Sequence, residues 1–494
     1  MRLTSPWMIV LAVLACVLVQ GCRRGPADQD RTATGKTAPV KQQGSSQNAE
    51  AKQAAPAGVS SPNQGEGITR PPSGPSELDW VRALTGSDEA AKQSVPAEFA
   101  KIINGLLAAQ AGLEFDQQGR LIGVDLAGER RSGSDAEIAL VVQLPHLRRF
   151  RVAGFGVTPA GVQQLAQKTT LEELGLENTQ IDDQSLAALK NLPRLWSLNL
   201  RRSVKLTDGA IGILADFPAL THLYLLETQF SSDALERLSQ LPRLRLLDLR
   251  NCAGVNAQVL TRLAELPQLA DLRLRGYHID DTCLSAVGRF PRLISFTLEE
   301  SPATPNGFQA LARLPLESLT LFRCTSLTDD ALAAVVAGWT KLRTLSLRDL
   351  PLRGTFLSQL RTHPSLRVLY LPQTMVDDSA LTSLRELPSL EELSLAQTLI
   401  TDAGLEHIAA ISTLRKLNVS QTQVTDVGVQ YLSNLSHLES LDLSGNLGIT
   451  DAAVPFLEKL PQLREVFLDG TSVTVEGLKR LGEKARVKQA VGLE

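Results

Sequence analysis

The chain has 494 residues, of which 43% are hydrophobic but only 4% aromatic, and its formal net charge is −3. This near-neutral balance argues against nucleic-acid binding by bulk charge, and the scarcity of aromatics requires an aliphatic core. The cysteines, at positions 16, 22, 252, 283 and 324, form no C-x-x-C and no evenly spaced set, which argues against a disulfide framework or a structural zinc site.

Arg2 places a positive charge ahead of the apolar run Trp7 to Val19, which is too short to span a bilayer but suits the apolar region of a signal peptide. Leu18-Val19-Gln20-Gly21-Cys22 follows, then Arg23-Arg24. A small residue directly before a cysteine at the end of such a run resembles a bacterial lipobox, although Gln20 stands where a small residue is usual. The resemblance implies that residues 1–21 are a signal peptide and that Cys22 is the lipid attachment site and the link to the membrane. With no Asp after Cys22, it also implies an exported protein displayed at the outer membrane or cell surface. An ordinary secretory signal with an incidental cysteine is the alternative. Residues 22–76 read as a disordered tether: from residue 23 on they contain no aromatic and are rich in Gln, Ala, Ser, Gly and Pro, too poor in apolar surface to offset ordering entropy. Flexible-chain scaling gives this segment a span of about 40 Å.

Residues 77–126 read as an N-terminal cap. Ala97 to Ala111 has the pattern of an amphipathic helix after Pro96. Leu113–Phe115 and Leu121–Leu126, joined by Asp116-Gln117-Gln118-Gly119, read as an edge hairpin.

Residues 127–494 are dominated by one frame. L-x-x-φ-x-φ, with φ apolar, recurs from Leu147, for example as LEELGL at 171, LRLLDL at 244, LRTLSL at 342 and LESLDL at 438. Fourteen such frames occur at steps of 23 to 26 residues, and a weaker one, LIGVDL, precedes them at 121. The period-2 stretch predicts a short strand. A turn follows, then a Thr-Asp pair such as Thr401-Asp402 or Thr425-Asp426 that can cap a short helix. A proline often closes the unit, as at Pro193, Pro242, Pro388 and Pro461. Residues 482–494, polar and basic, are expected to shield the far end.

The pattern L-x-x-L-x-L-x-x-T-x-I-T-D-x-G-L resembles the leucine-rich-repeat family over residues 119–485. It is most like the cysteine-containing subclass known from F-box adaptor proteins, and it is also similar to repeats of secreted or lipid-anchored bacterial proteins. The resemblance implies an α/β solenoid, a horseshoe with parallel strands on its concave face and short helices on its convex face. Cys252 and Cys324 fall where other repeats place Thr179, Thr228, Thr374, Thr398, Thr422 and Thr471. Both read as small side chains buried in the turn, satisfying backbone groups, and Cys283 as packed in a helix.

No H-E-x-x-H, G-x-S-x-G or phosphate-binding glycine loop is present, so no enzyme, cofactor or metal site is expected. The histidines are dispersed over different repeats, and His146, His363 and His437 read as surface residues of the helix-to-strand corner. Strand positions that alternate with the leucines project onto the concave face. There, arginines and aromatics concentrate in the middle repeats, and such side chains commonly anchor interfaces. Arg201, Tyr224, Arg250, Arg273, Arg275, Phe322, Arg348 and Tyr370 therefore form a candidate partner-binding set. The alternative is a solvated sheet face on which Asp248, Asp271, Glu299 and Asp349 neutralise the arginines. The expected function is a non-enzymatic cell-envelope module that binds a protein, or a glycan, and no nucleic acid or small-molecule substrate. The alternatives are a ubiquitin-ligase-type adaptor and a structural envelope component.

Overall fold

The computed structural model describes residues 75–128, 131–482 and 484–488, all within one unit, Arg70–Glu494. The signal-like segment, Cys22 and the tether up to residue 74 lie outside the described residues. Helix α1 (Glu77–Thr85) starts at a capping box in which the Ser76 hydroxyl accepts from the Asp79 amide and the Asp79 carboxylate accepts from Ser76. After α2 (Glu89–Gln93), α3 (Ala97–Ala108) turns Phe99, Ile102, Ile103 and Leu106 inward. It stops three residues short of the expected Ala111 because Gln110 adopts a left-handed conformation that redirects the chain into strand β1.

Strand β1 (Gly112–Phe115) pairs antiparallel with β2 (Leu121–Leu126), giving the expected hairpin. From β2 onward each strand pairs in parallel with the next in sequence, through β3 (Arg149–Ala153) to β16 (Glu465–Phe467), and the strand of every frame takes its place. Among the described residues the sheet has 17 strands because the basic C-terminal segment does more than shield: β17 (Arg486–Lys488) adds a further parallel strand, with Val487 in register with Val466. Val487 also packs against the core, which pins an otherwise polar segment to the sheet.

Each repeat contributes the leucines of its frame to one continuous aliphatic core. Leu342, Leu345 and Leu347 are fully buried, as are Leu366, Leu369 and Leu371 one repeat later. Burying one such side chain stabilises by about 1.5–3 kcal/mol. Helices need roughly 10 Å of lateral room whereas parallel strands stand about 4.8 Å apart. Stacking one short helix behind each strand therefore puts the sheet on the inner, concave side.

Repeats are also joined by polar contacts. The Thr401 hydroxyl caps its own helix by accepting from the Ala403 amide. Its backbone N–H and hydroxyl both donate to the Asp378 carboxylate of the preceding repeat, at 2.8 and 2.6 Å. The same bridge joins Thr425 to Asp402 and Thr450 to Asp426. It continues with Thr474 to Asp451 and, earlier in the chain, Thr304 to Asp281 and Thr158 to Asp135. The aspartates thus do more than suit a helix dipole: they link consecutive repeats. The glycine of T-D-x-G-L follows from this geometry, since a Cβ on Gly428 would lie 2.4 Å from the Asp402 carboxylate.

The turn after each strand shows how Thr, Cys and Asn replace one another. The Thr374 and Thr398 hydroxyls donate to the carbonyls of Leu371 and Leu395, both at 2.7 Å. Cys252 instead reaches the carbonyl of Leu225 in the preceding repeat, at 3.0 Å, and Asn446 spans both repeats through Val419 and Leu443. Cys252, Cys283 and Cys324 are all buried free thiols, and burial pushes the Cys324 thiol up to about 11.

His363 corrects the reading of the corner histidines. His146 and His437 are exposed, but His363 is buried, with Nε2 3.0 Å from the Trp339 carbonyl and Nδ1 accepting from the Ser365 amide. His146 and His437 directly precede the next frame, whereas His363 stands three residues before it, where neighbouring repeats put Trp339 and Leu387 into the core.

Candidate functional site

The register confirms the outward columns read from the sequence. Ser346, Tyr370, Ser394, Asn418, Asp442 and Phe467 stand side by side on consecutive strands. Tyr224, Asp248, Arg273, Thr297 and Thr320 do the same earlier in the sheet. The leucines between them point to the helix layer, which leaves these columns facing the concavity.

The eight candidate residues separate into distinct groups. Arg250 is the centre of the first. Its guanidinium donates to the buried Asp248 carboxylate at 2.7 Å and to Glu299 at 2.9 Å. The hydrogen bonds that it donates to Asp248 raise its pKa above the ordinary arginine value, against the opposing effect of burial. Arg275 shares Glu299 and pairs with Glu300 at 2.7 Å. Arg273 pairs with Asp271 at 3.0 Å and lies 6.0 Å from the centre of the Tyr224 ring. The middle of the face is thus a compensated lattice of alternating charges. Arg201 stands apart beside Glu227, at 3.4 Å, and its Nε is buried with no partner among the described residues.

Phe322 is flanked by two guanidinium groups, Arg323 at 4.8 Å and Arg348 at 5.1 Å from its ring centre. Asp349 takes the charge of Arg323, whereas Arg348 donates to the Gln373 side-chain oxygen. Arg348 and Tyr370 then mark one end of a depression of about 450 Å³ that runs across the sheet to Phe467. Tyr370 donates its hydroxyl to Glu392 at 2.6 Å, and Glu392 also holds Lys416 at 2.7 Å. Burial, followed by this carboxylate, pushes the Tyr370 phenol up to about 12. Asn418 donates to Asp442 at 3.1 Å.

The sequence reading passed over the downstream half of this depression because Ser394, Asn418, Ser440 and Asp442 lack the size of arginines and aromatics. The usable signal was their smallness between Tyr370 and Phe467, which lowers the floor. Among the described residues no group of His, Cys, Asp and Glu is placed to hold a metal ion, and no helix is long and apolar enough to cross a membrane.

A family model described as Leucine Rich repeat matches residues 410–433 and 434–454. No curated protein matches the chain. Among solved structures, the chain is similar to an internalin (inlF) from Listeria monocytogenes, at 20% identity over 81% of this chain and 95% of the other, with a TM-score of 0.36. It is similar at 19% identity to a structure of the Rad7 and Elc1 complex in yeast, over 73% of this chain and 84% of the other, with a TM-score of 0.45. Similarity at 16% identity to a TLR13–ssRNA13 complex covers 70% of this chain and 60% of the other, with a TM-score of 0.47. The recurring leucine frame, the open parallel sheet that it builds and the two matched repeats identify the fold as a leucine-rich-repeat solenoid.

Proposed function

We propose that this protein is a non-enzymatic interaction module of the cell envelope that binds a protein partner through the concave sheet face. The observation that carries the reading is an apolar rim beside that face. Phe155, Tyr277, Met375, Leu399 and Leu447, each in the turn just past a strand, are exposed, Tyr277 by 78% and Leu447 by 77%. Met375 and Leu399 stand on consecutive repeats with Leu447 two repeats further on, and grouped exposed apolar side chains beside a polar face are typical of surfaces that another protein covers. The lipobox-like Leu18–Cys22 segment supports export and anchoring through a lipid on Cys22.

A photo-crosslinking residue at Thr297, on the sheet face, should yield a discrete protein adduct in living cells. The same residue at Gln258, on the helix Ala257–Leu263, should yield none. Equal adducts from both positions, or none from Thr297, would refute binding through the sheet. Labelled fatty acid should enter the native protein but not Cys22→Ser, and incorporation into that variant would overturn the anchor.

A further inference from the structure

We propose that the depression between Tyr370 and Phe467 is a binding site for a neutral oligosaccharide, a ligand class that does not depend on the protein-partner reading. It is an open depression whose volume of about 450 Å³ lies in the range of small-ligand sites. It spans the strands from Ser346 to Phe467. Tyr370 and Phe467 stand four strand spacings apart, roughly 19 Å at ordinary sheet geometry, enough for a chain of several pyranose rings lying across the strands.

The lining has the chemistry that hydroxyl-rich ligands require. Ser346, Ser394 and Ser440 bring hydroxyls to a low floor. The planar groups among them are already oriented: Asn418 Nδ2 is fixed on Asp442, and Asn418 Oδ1 accepts from the Ser420 amide at 2.9 Å. Glu392 is held between the Tyr370 hydroxyl and Lys416. Such groups can bridge vicinal hydroxyls without losing side-chain freedom on binding. Formal charges cancel inside the depression, Arg348 and Lys416 against Glu392 and Asp442, so neither a polyanion nor a polycation is favoured. The aromatic ring at Tyr370 offers an apolar surface to the C–H face of a sugar. The apolar rim at Met375, Leu399 and Leu447 lies in the turns beyond these strands, outside the lining of the depression.

Calorimetry on the intact protein, with chitotriose, cellotriose and maltotriose as probes, tests the site, backed by an array of neutral hexose and N-acetylhexosamine oligomers. At least one probe should bind with a sub-millimolar Kd. Ser394→Trp should abolish binding by filling the floor. Asn418→Ala should weaken it about tenfold, the equivalent of one good hydrogen bond, and Gln258→Ala, on the helix Ala257–Leu263, should leave it unchanged. Melting curves establish that Ser394→Trp folds, and Asn418→Ala carries the test if it does not. Absence of binding to every probe and array oligomer would overturn the proposal, as would binding indifferent to Asn418→Ala. A protein crosslinked through Ser394 while no sugar binds would also overturn it, yet would leave the protein-partner reading standing.

Discussion

At the scale of single residues, environment matters more than residue type. Arginines look alike in sequence, yet Arg250 on the sheet face and Arg262 on the helix Ala257–Leu263 have opposite standing. Arg262 pairs with Glu265 one helical turn away, with both side chains more than half exposed, so that pair contributes little. Arg250 is a quarter exposed and neutralises an Asp248 side chain that is 2% exposed. Removing it leaves a buried carboxylate without its main donor. Arg250→Ala should therefore cost roughly 3 kcal/mol in urea unfolding, a magnitude typical of breaking a buried pair. Arg262→Ala should lie within about 0.5 kcal/mol of the parent. Equal effects would mean that the lattice around Asp248 is not structural. His363 makes the same point: it occupies a core position and satisfies both ring nitrogens there, while His146 and His437 stay in solvent.

At the scale of the element, a strand, its turn and its helix are joined to the next set by carboxylates at the helix starts. Asp208 has its pKa held below the ordinary aspartate value by the hydroxyl and amide of Ser231, and Asp451 by those of Thr474. A carboxyl with a depressed pKa in the folded state contributes fully above its unfolded pKa, about 3.9. That contribution is lost as pH falls through the lower folded values. Tm should thus be flat from neutral pH to about 5 and decline below about 4 as these bridges protonate. Asp208→Ala should show a shallower decline than the parent protein when melting is followed by circular dichroism. An identical decline would remove the carboxylate bridge as its cause. The turns carry a second recurring device. Gln373, Gln397 and Gln421 sit at φ between 53° and 59°, stacked repeat upon repeat, and Gln397 donates to Gln421. Later repeats use Gly445 and Gly470 at the same place, where positive φ is free of strain.

At the scale of the whole molecule, each repeat rests on its neighbours, and stability is close to a sum of local and nearest-neighbour contributions. Leu393 is 1% exposed, and Leu393→Ala should cost about 2–5 kcal/mol. Hydrogen exchange should then rise in repeats around 366–420 while residues 147–250 keep their protection, whereas a uniform rise would show a single cooperative unit. Much of this was legible in the sequence. A leucine frame repeated at nearly constant steps leaves one way to bury its apolar face, so strand positions and the outward columns followed from periodicity, helix positions from the Thr-Asp caps and closing prolines, and the cap hairpin from its turn residues. What pairs with what across repeats was decided only by the tertiary structure. Contacts between adjacent repeats joined Thr401 to Asp378, buried His363 under Trp339 and drew β17 onto the sheet, and a contact 49 residues apart, across two repeats, joined Arg250 to Glu299. The same contacts split the arginine-rich stretch into a neutralised lattice and a depression bounded by Tyr370 and Phe467. Periodicity fixes the direction in which a side chain points, but its charge is spent or available according to the neighbour that the stacked repeat brings beside it.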